Sequence, residues 1–341
     1  MRKKIEKQTV AVVVAVMLAF TAAPAANAAG RELVPMGNTV GIQMSTDGII
    51  VVGFGTQDEM GGESPAEAAG IRAGDVIVGV GGKSTRTAAE FLAAVSQLDG
   101  GDVEIQVLRS GEQKSFNVKP TLSENGTWQL GIWLRDSVSG IGTVTFYDPE
   151  NGTYGALGHP ISEFDTGIIM PVGEGTIMFS TVVDVKPGVS GSPGELCGFF
   201  EIDDKIGNIS INSESGIFGM LESGQRKETI PVGTAGEIRT GKATILSNVR
   251  DTLIEEFEVE ITRVYRGEEN GRSMMISVTD PKLLQITGGI VQGMSGSPII
   301  QNGKLIGAVT HVLVNDPTRG YGIAIEEMLK MSDALVMPNA A

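Results

Sequence analysis

The chain has 341 residues, 41 of them acidic and 26 basic, for a formal net charge of −15. A surface that anionic repels nucleic acid and anionic lipid, so the expected partner is a protein or peptide and not a nucleic acid. Cys197 is the only cysteine and there are two histidines, which excludes an internal disulfide and gives no ordinary zinc set, so neither a metal nor another cofactor is expected.

In chain order, Arg2, Lys3, Lys4 and Lys7 form a basic start, followed by an apolar run from Val10 to Phe20 and then Ala26-Asn27-Ala28. This is a secretory signal pattern over residues 1–28. The apolar run is shorter than the ~20 residues that span a bilayer comfortably, so a retained N-terminal anchor is the second reading.

Residues 39–122 read as a compact α+β module. Val40-Gly41-Ile42-Gln43-Met44 and Gly48 to Gly53 are strand-like, and Ser64-Pro65-Ala66-Glu67 is a capping box with proline at the first helical position. Val76 to Val80 follows as a strand, and Thr87 to Glu90 caps a second helix with Phe91, Leu92, Val95 and Leu98 on one face. Val103 to Leu108 and Lys114 to Val118 form a hairpin. With Ser-Pro-Ala-Glu-Ala-Ala-Gly-Ile-Arg-Ala-Gly-Asp from Ser64, this order resembles the PDZ domains of bacterial secreted proteases. Such a domain adds an extended peptide to a sheet edge. Gly41, Ile42 and Val95 are the expected peptide-binding residues, with packing alone as the competing reading for Ile42 and Val95.

Ser123 to Thr127 reads as a linker, and 128–337 as a second domain of short β runs separated by glycine and Asn-Gly or Asp-Pro turns. Forty-seven glycines in the whole chain suit such a turn-rich β body. The spacing suggests a sandwich or a pair of barrels, and Glu326 to Val336 a C-terminal helix.

Within this domain Gly293-Met294-Ser295-Gly296-Ser297-Pro298 precedes a strand, an Asn302-Gly303 hairpin turn and a second strand. A serine on such a loop suits nucleophilic catalysis if a base takes its proton and main-chain donors hold the oxyanion; by the serine-protease template those donors are the N–H groups of Gly293 and Ser295. The base is His159 or His311. His159 stands in a loop and His311 in a strand, so His159 is the expected base and His311 a candidate wall of the substrate pocket. The acid that orients the imidazole is Asp280, fifteen residues before Ser295, or Asp165, six after His159. A second Ser-Gly-Ser-Pro, at Ser190 to Pro193, lacks the following strand and hairpin and reads as a surface loop.

The string from Thr287 to Pro298, Ala308-Val309-Thr310-His311-Val312 with Val314-Asn315-Asp316-Pro317, and Leu157-Gly158-His159 with Asp165-Thr166-Gly167 resemble the stage IV sporulation protein B (SpoIVB) serine peptidases of spore-forming bacteria. The resemblance implies a mostly β chain with an N-terminal α+β PDZ domain and a chymotrypsin-like double β-barrel peptidase domain. It implies His159 as base, Asp280 as acid and Ser295 as nucleophile.

It further implies a sporulation signalling protease, secreted across the forespore membrane into the intermembrane space. Such a protease cleaves itself and cuts a membrane-bound regulator of an intramembrane metalloprotease, which activates the late mother-cell sigma factor, sigma-K. The PDZ domain would select substrate or hold the chain's own N-terminal segment. A non-catalytic PDZ scaffold that binds a membrane partner, and a general quality-control protease with a PDZ domain, are the competing functions.

Overall fold

The computed structural model describes residues 30–55, 63–123, 125–222, 228–267 and 271–337. The expected signal segment, 1–28, lies outside the described residues. The N-terminal strands are β1 (Glu32–Pro35) and β2 (Thr39–Phe54), followed by the short helix α1 (Pro65–Ala68), β3 (Val76–Val80), helix α2 (Ala88–Val95), β4 (Val103–Arg109) and β5 (Glu112–Val118). Both helices start where the sequence places them: Thr87 with Glu90 forms a reciprocal capping box, and at Ser64 one half of the expected box is made, the Glu67 N–H donating to the serine hydroxyl.

Next come β6 (Ile132–Tyr147), β7 (Thr153–Ala156), the hairpin β8 (Glu174–Lys186) and β9 (Glu195–Asn208), and β10 (Gly216–Met220). The last third holds β11 (Gly241–Arg250), β12 (Leu253–Val264), β13 (Met274–Val278), helix α3 (Pro281–Thr287), β14 (Pro298–Gln301), β15 (Lys304–Leu313), β16 (Asp316–Ala324) and helix α4 (Ile325–Val336). Strands β11 to β16 close into a six-stranded barrel in the order β11-β12-β13-β16-β15-β14. Alternation builds it: Phe257, Val259 and Ile261 on β12 face the barrel core while Glu256, Glu258 and Glu260 face out. The Asn302-Gly303 turn has positive φ at both residues, as a tight hairpin requires.

The other β half is an open, strongly bent sheet in which β2 pairs with β6, β8 and β3, and β6 with β1 and β7. The fold is therefore mostly β, an α+β module at the place expected for the PDZ domain joined to a body of two β halves at the place expected for the peptidase domain, one half a closed barrel and the other a half-barrel. Helix α4 wedges between the halves. Its buried Ile325, Met328 and Leu329 meet Leu33, Phe146 and Phe218 from one half and Leu305 and Ile323 from the other. Arg31 fastens the same seam, bonding Asp148 through two of its nitrogens and Asp333 on α4 at 2.6 Å.

The domain limits differ from the sequence reading in one respect. Strand β2 does not belong to the PDZ module alone. Its first half, Thr39 to Ser45, pairs with β6 and β8 and packs Val40 and Ile42 into the half-barrel core; its second half, from Ile49, pairs with β3 and enters the PDZ core. Strand β6 is shared likewise: Ile132 to Arg135 pairs with the PDZ half of β2, and Ser137 to Thr143 with the peptidase half. The PDZ core extends to Leu130, so the module is inserted into the peptidase half-barrel rather than preceding it. The two strand-like runs, Val40 to Met44 and Gly48 to Gly53, are one long strand, which Gly48, at φ +110, lets bend.

Candidate active site

Helix α3 ends at Gly288, in the left-handed conformation, and the chain then runs through Gly289 to the Ser295 loop. The loop's carbonyls are all held from behind. Leu196 N–H donates to the Gln292 carbonyl at 2.9 Å, the Thr143 hydroxyl to Gly293 at 2.7 Å, Ser297 N–H to Met294 at 3.0 Å, Thr143 N–H to Ser295 at 3.0 Å and the Thr145 hydroxyl to Gly296 at 2.8 Å. In a trans peptide the N–H points opposite the carbonyl it is bonded to. Fixing the carbonyls of Gln292 and Met294 therefore turns the N–H groups of Gly293 and Ser295 the other way. Among the described residues neither N–H has a backbone partner. Gly293 (φ +96) and Gly296 (φ +99) supply the backbone conformation this needs.

The half-buried Ser295 hydroxyl donates to the Thr310 carbonyl on β15 at 2.6 Å. His159 follows β7 through a turn in which Leu157 and Gly158 both have positive φ, and Leu157 N–H is tied to the Thr143 carbonyl at 3.1 Å. Its Nδ1 bonds the Pro160 carbonyl at 2.9 Å. A carbonyl only accepts, so Nδ1 carries the proton and Nε2 keeps its lone pair. Burial lowers the His159 pKa below the ordinary histidine value, and the bond to Pro160 offsets this in part. The imidazole is neutral at pH 7.

His159, His311, Gly293 and Ser295 line one cleft of about 700 Å3, with Ile42, Leu157, Ile290 and Val312 among its apolar walls. The two imidazoles lie 5.0 Å apart, centroid to centroid. His311, at the exposed rim, is pushed down to about 4 by lost hydration and by the neighbouring His159 and the Arg272 guanidinium.

The acid read from sequence is not at this place. Asp280 is the N-cap of α3: it accepts the N–H groups of Lys282 (2.9 Å), Leu283 (3.0 Å) and Glu258 (3.3 Å), and it does not line the cleft. An Asp before a proline at a helix start is a capping signal, and capping is how the fold uses it. Asp165 is exposed and lies 3.8 Å from Arg135. His159 bonds neither carboxylate; the Pro160 carbonyl occupies Nδ1. The loop behind His159 is braced instead by Asn212, whose amide pairs with Ile161 N–H and with the Ile161 and Met170 carbonyls. Buried Glu163 lies in the same loop. Burial opposes its charge, yet hydrogen bonds from Thr166 and the backbone, together with Arg135, hold it below the usual carboxylate range.

The peptide-binding assignment of Gly41 and Ile42 is also corrected. Both lie on the peptidase half of β2, Gly41 against the Phe200 ring and Ile42 in the wall of the active cleft. Val95 is where the sequence places it, on α2, and lines a separate groove of about 700 Å3 whose opposite wall is Leu130 to Trp133. Leu130-Gly131-Ile132 repeats the apolar-Gly-apolar pattern of Val40-Gly41-Ile42, and that repeat was the available signal. The loop at Ser190 to Pro193 is on the surface as expected, but it also reaches the site: Pro193 lines the cleft, Gly191 N–H donates to Val314, and Gln292 N–H donates to Gly194 just after the loop. Sequence reasoning missed Thr143, Thr145 and Leu196, because no local motif marks a residue that acts from a distant strand.

Models of two families match this chain. The model of the SpoIVB peptidase S55 family matches residues 126–329, and that of the PDZ domain residues 60–109. A Clostridium perfringens (strain 13 / Type A) protein named "Putative zinc metalloprotease" is 32% identical over 69 residues, which are 20% of this chain and 21% of that protein. The chain thus matches about a fifth of that relative's length. Among solved structures, the PDZ domain of the SdrC-like protein from Listeria monocytogenes is 27% identical, over 26% of this chain and 87% of that one, with a TM-score of 0.22. The active form of the Rv3671c protease from M. tuberculosis is 16% identical, over 58% of this chain and 74% of that one, with a TM-score of 0.33.

Proposed function

Because this chain belongs to the SpoIVB peptidase S55 family, we propose that it is a serine endopeptidase with Ser295 as nucleophile and His159 as general base. The observation that carries this reading is the shared cleft, in which the neutral imidazole and the serine lie with Gly293, and the N–H groups of Gly293 and Ser295 have no backbone partner among the described residues. In this reading the Ser295 hydroxyl leaves the Thr310 carbonyl, its partner in the resting structure, and gives its hydrogen bond to His159 Nε2. Oγ then attacks the scissile carbonyl, its proton passes to Nε2, and the oxyanion is received by the N–H groups of Gly293 and Ser295. The imidazolium returns the proton to the leaving amine, and water hydrolyses the acyl-enzyme by the same route. The apolar cleft walls suit an extended peptide with apolar side chains.

The finer reading rests on family membership. We propose a sporulation signalling protease that is secreted into the intermembrane space of the forespore, cleaves itself and cuts a membrane-bound regulator of an intramembrane metalloprotease upstream of sigma-K. The groove between α2 and Leu130 to Trp133 would take an extended segment, either from substrate or from the chain's own N-terminus.

The test is fluorophosphonate labelling and self-cleavage of the full chain beside Ser295→Ala. Labelling of the wild type alone, with self-cleavage lost at least about ten-thousandfold in the variant, is the expected result. An unlabelled wild type, or equal processing in the variant, would end the catalytic reading in favour of a binding scaffold.

A further inference from the structure

We infer that Thr143 is a positioning residue for the proposed reaction, a residue to which both the nucleophile loop and the histidine loop are hydrogen-bonded. The inference rests on the assignment of Ser295 and His159 above. Thr143 sits on β6, fully buried. Its hydroxyl donates to the Gly293 carbonyl at 2.7 Å and its N–H to the Ser295 carbonyl at 3.0 Å, while its own carbonyl accepts Leu157 N–H at 3.1 Å, two residues before His159. One residue thus touches the oxyanion loop, the nucleophile's main chain and the turn that delivers the base. Ser295 belongs to the closed barrel side and His159 to the half-barrel, so no local chain geometry relates them.

The hydroxyl is the part of this junction that chemistry can remove cleanly. A buried carbonyl that loses its donor rotates toward another donor or toward water. Gly293 has no Cβ to resist such a rotation. The peptide that turns, Gly293–Met294, lies between the two peptides that carry the Gly293 and Ser295 N–H groups, so its shift passes to both proposed oxyanion donors. The loop also approaches Thr143 closely at Gly296, where a side-chain carbon would overlap the Thr143 carbonyl oxygen. Movement released by loss of the hydroxyl falls first on the Gly293–Met294 peptide, whose carbonyl it held. Its effect appears where charge develops on the reacting oxygen, in the chemical step rather than in binding.

The experiment uses the full chain and an alkyl fluorophosphonate. In the labelling step the Ser295 Oγ–P bond forms, fluoride leaves and the hydroxyl proton passes to His159. The maximal labelling rate, kinact, and the half-saturating concentration, KI, are measured for wild type, Thr143→Val, Thr143→Ser and, as a control, Thr153→Val. Thr153 is equally buried and hydrogen-bonded, but its hydroxyl bonds Asn151 and Ser332 rather than the Ser295 loop.

Thr143→Val should lower kinact by about 10- to 100-fold with KI within about threefold, and Thr143→Ser should restore most of kinact. Thr153→Val should lower the melting temperature and leave kinact per folded molecule unchanged. Thr143→Ala, which removes the hydroxyl without pressing a methyl on the Gly293 carbonyl, carries the same expectation if the valine variant does not fold. Wild-type kinact in folded Thr143→Val or Thr143→Ala, or a loss confined to KI, overturns the inference while leaving Ser295 in place. An unlabelled wild type overturns the catalytic assignment itself.

Discussion

Replacing Asp280 separates two roles that the sequence cannot tell apart. In the structure its carboxylate caps the seven-residue helix α3 and receives three main-chain N–H groups, from Lys282, Leu283 and Glu258. Loss of an N-cap side chain costs about 0.5–2 kcal/mol, and loss of a negative charge at a helix start adds about 0.3–1 kcal/mol. Asp280→Ala should therefore destabilise by about 2 kcal/mol, a fall in melting temperature of about 3 °C for a chain of this length.

Asp280→Asn and Asp280→Ser keep a capping oxygen and should lose less than about 1 kcal/mol. Their labelling rates should stay within about threefold of wild type, because the carboxylate is not bonded to His159. A triad acid behaves in the opposite way: its Asn variant leaves the fold intact and lowers turnover by about ten-thousandfold. Thermal melts beside fluorophosphonate labelling rates decide the matter. An unchanged melt with a thousandfold or greater loss in Asp280→Asn would refute the capping account and require a rearrangement that brings Asp280 to the imidazole.

Two further outcomes follow from charge. Burial lowers the His159 pKa, so the rising limb of labelling rate against pH should lie below 6.5, where an exposed histidine would be largely protonated. His311 falls to about 4 in the fold. Between about pH 6.5 and 4 the unfolded chain binds the proton that the folded one refuses, so this contribution to stability is complete above 6.5 and is lost as pH falls toward 4. The melting temperature of His311→Gln should fall less steeply than that of wild type across that range, and parallel curves would contradict the assignment. Arg31→Ala should cost about 3 kcal/mol, because it strips the guanidinium from nearly fully buried Asp148 and releases α4 at Asp333. A melt within about 2 °C of wild type would show that the seam does not depend on this cluster.

Local chemistry was written plainly in the chain. Thr87 with Glu90 announced a capping box, Asn302-Gly303 a hairpin, and the alternation along β12 a strand with one buried face; each depends only on neighbours within a few residues, so the sequence by itself determined them. The Gly293 to Gly296 loop was legible for the same reason, since two glycines around a serine define a backbone conformation before any fold exists.

Tertiary structure alone decided the rest. Val40-Gly41-Ile42 and Leu130-Gly131-Ile132 present the same local pattern, yet strand pairing sends the first to the active cleft and the second to the PDZ groove. Asp280 was equally suited to cap a helix or to orient an imidazole, and only its distant surroundings chose between them. Thr143 carries no motif at all. Its role comes from a hydrogen bond that spans 150 residues of sequence, and a contact of that range depends on how separate strands come together rather than on the preferences of the residues around it.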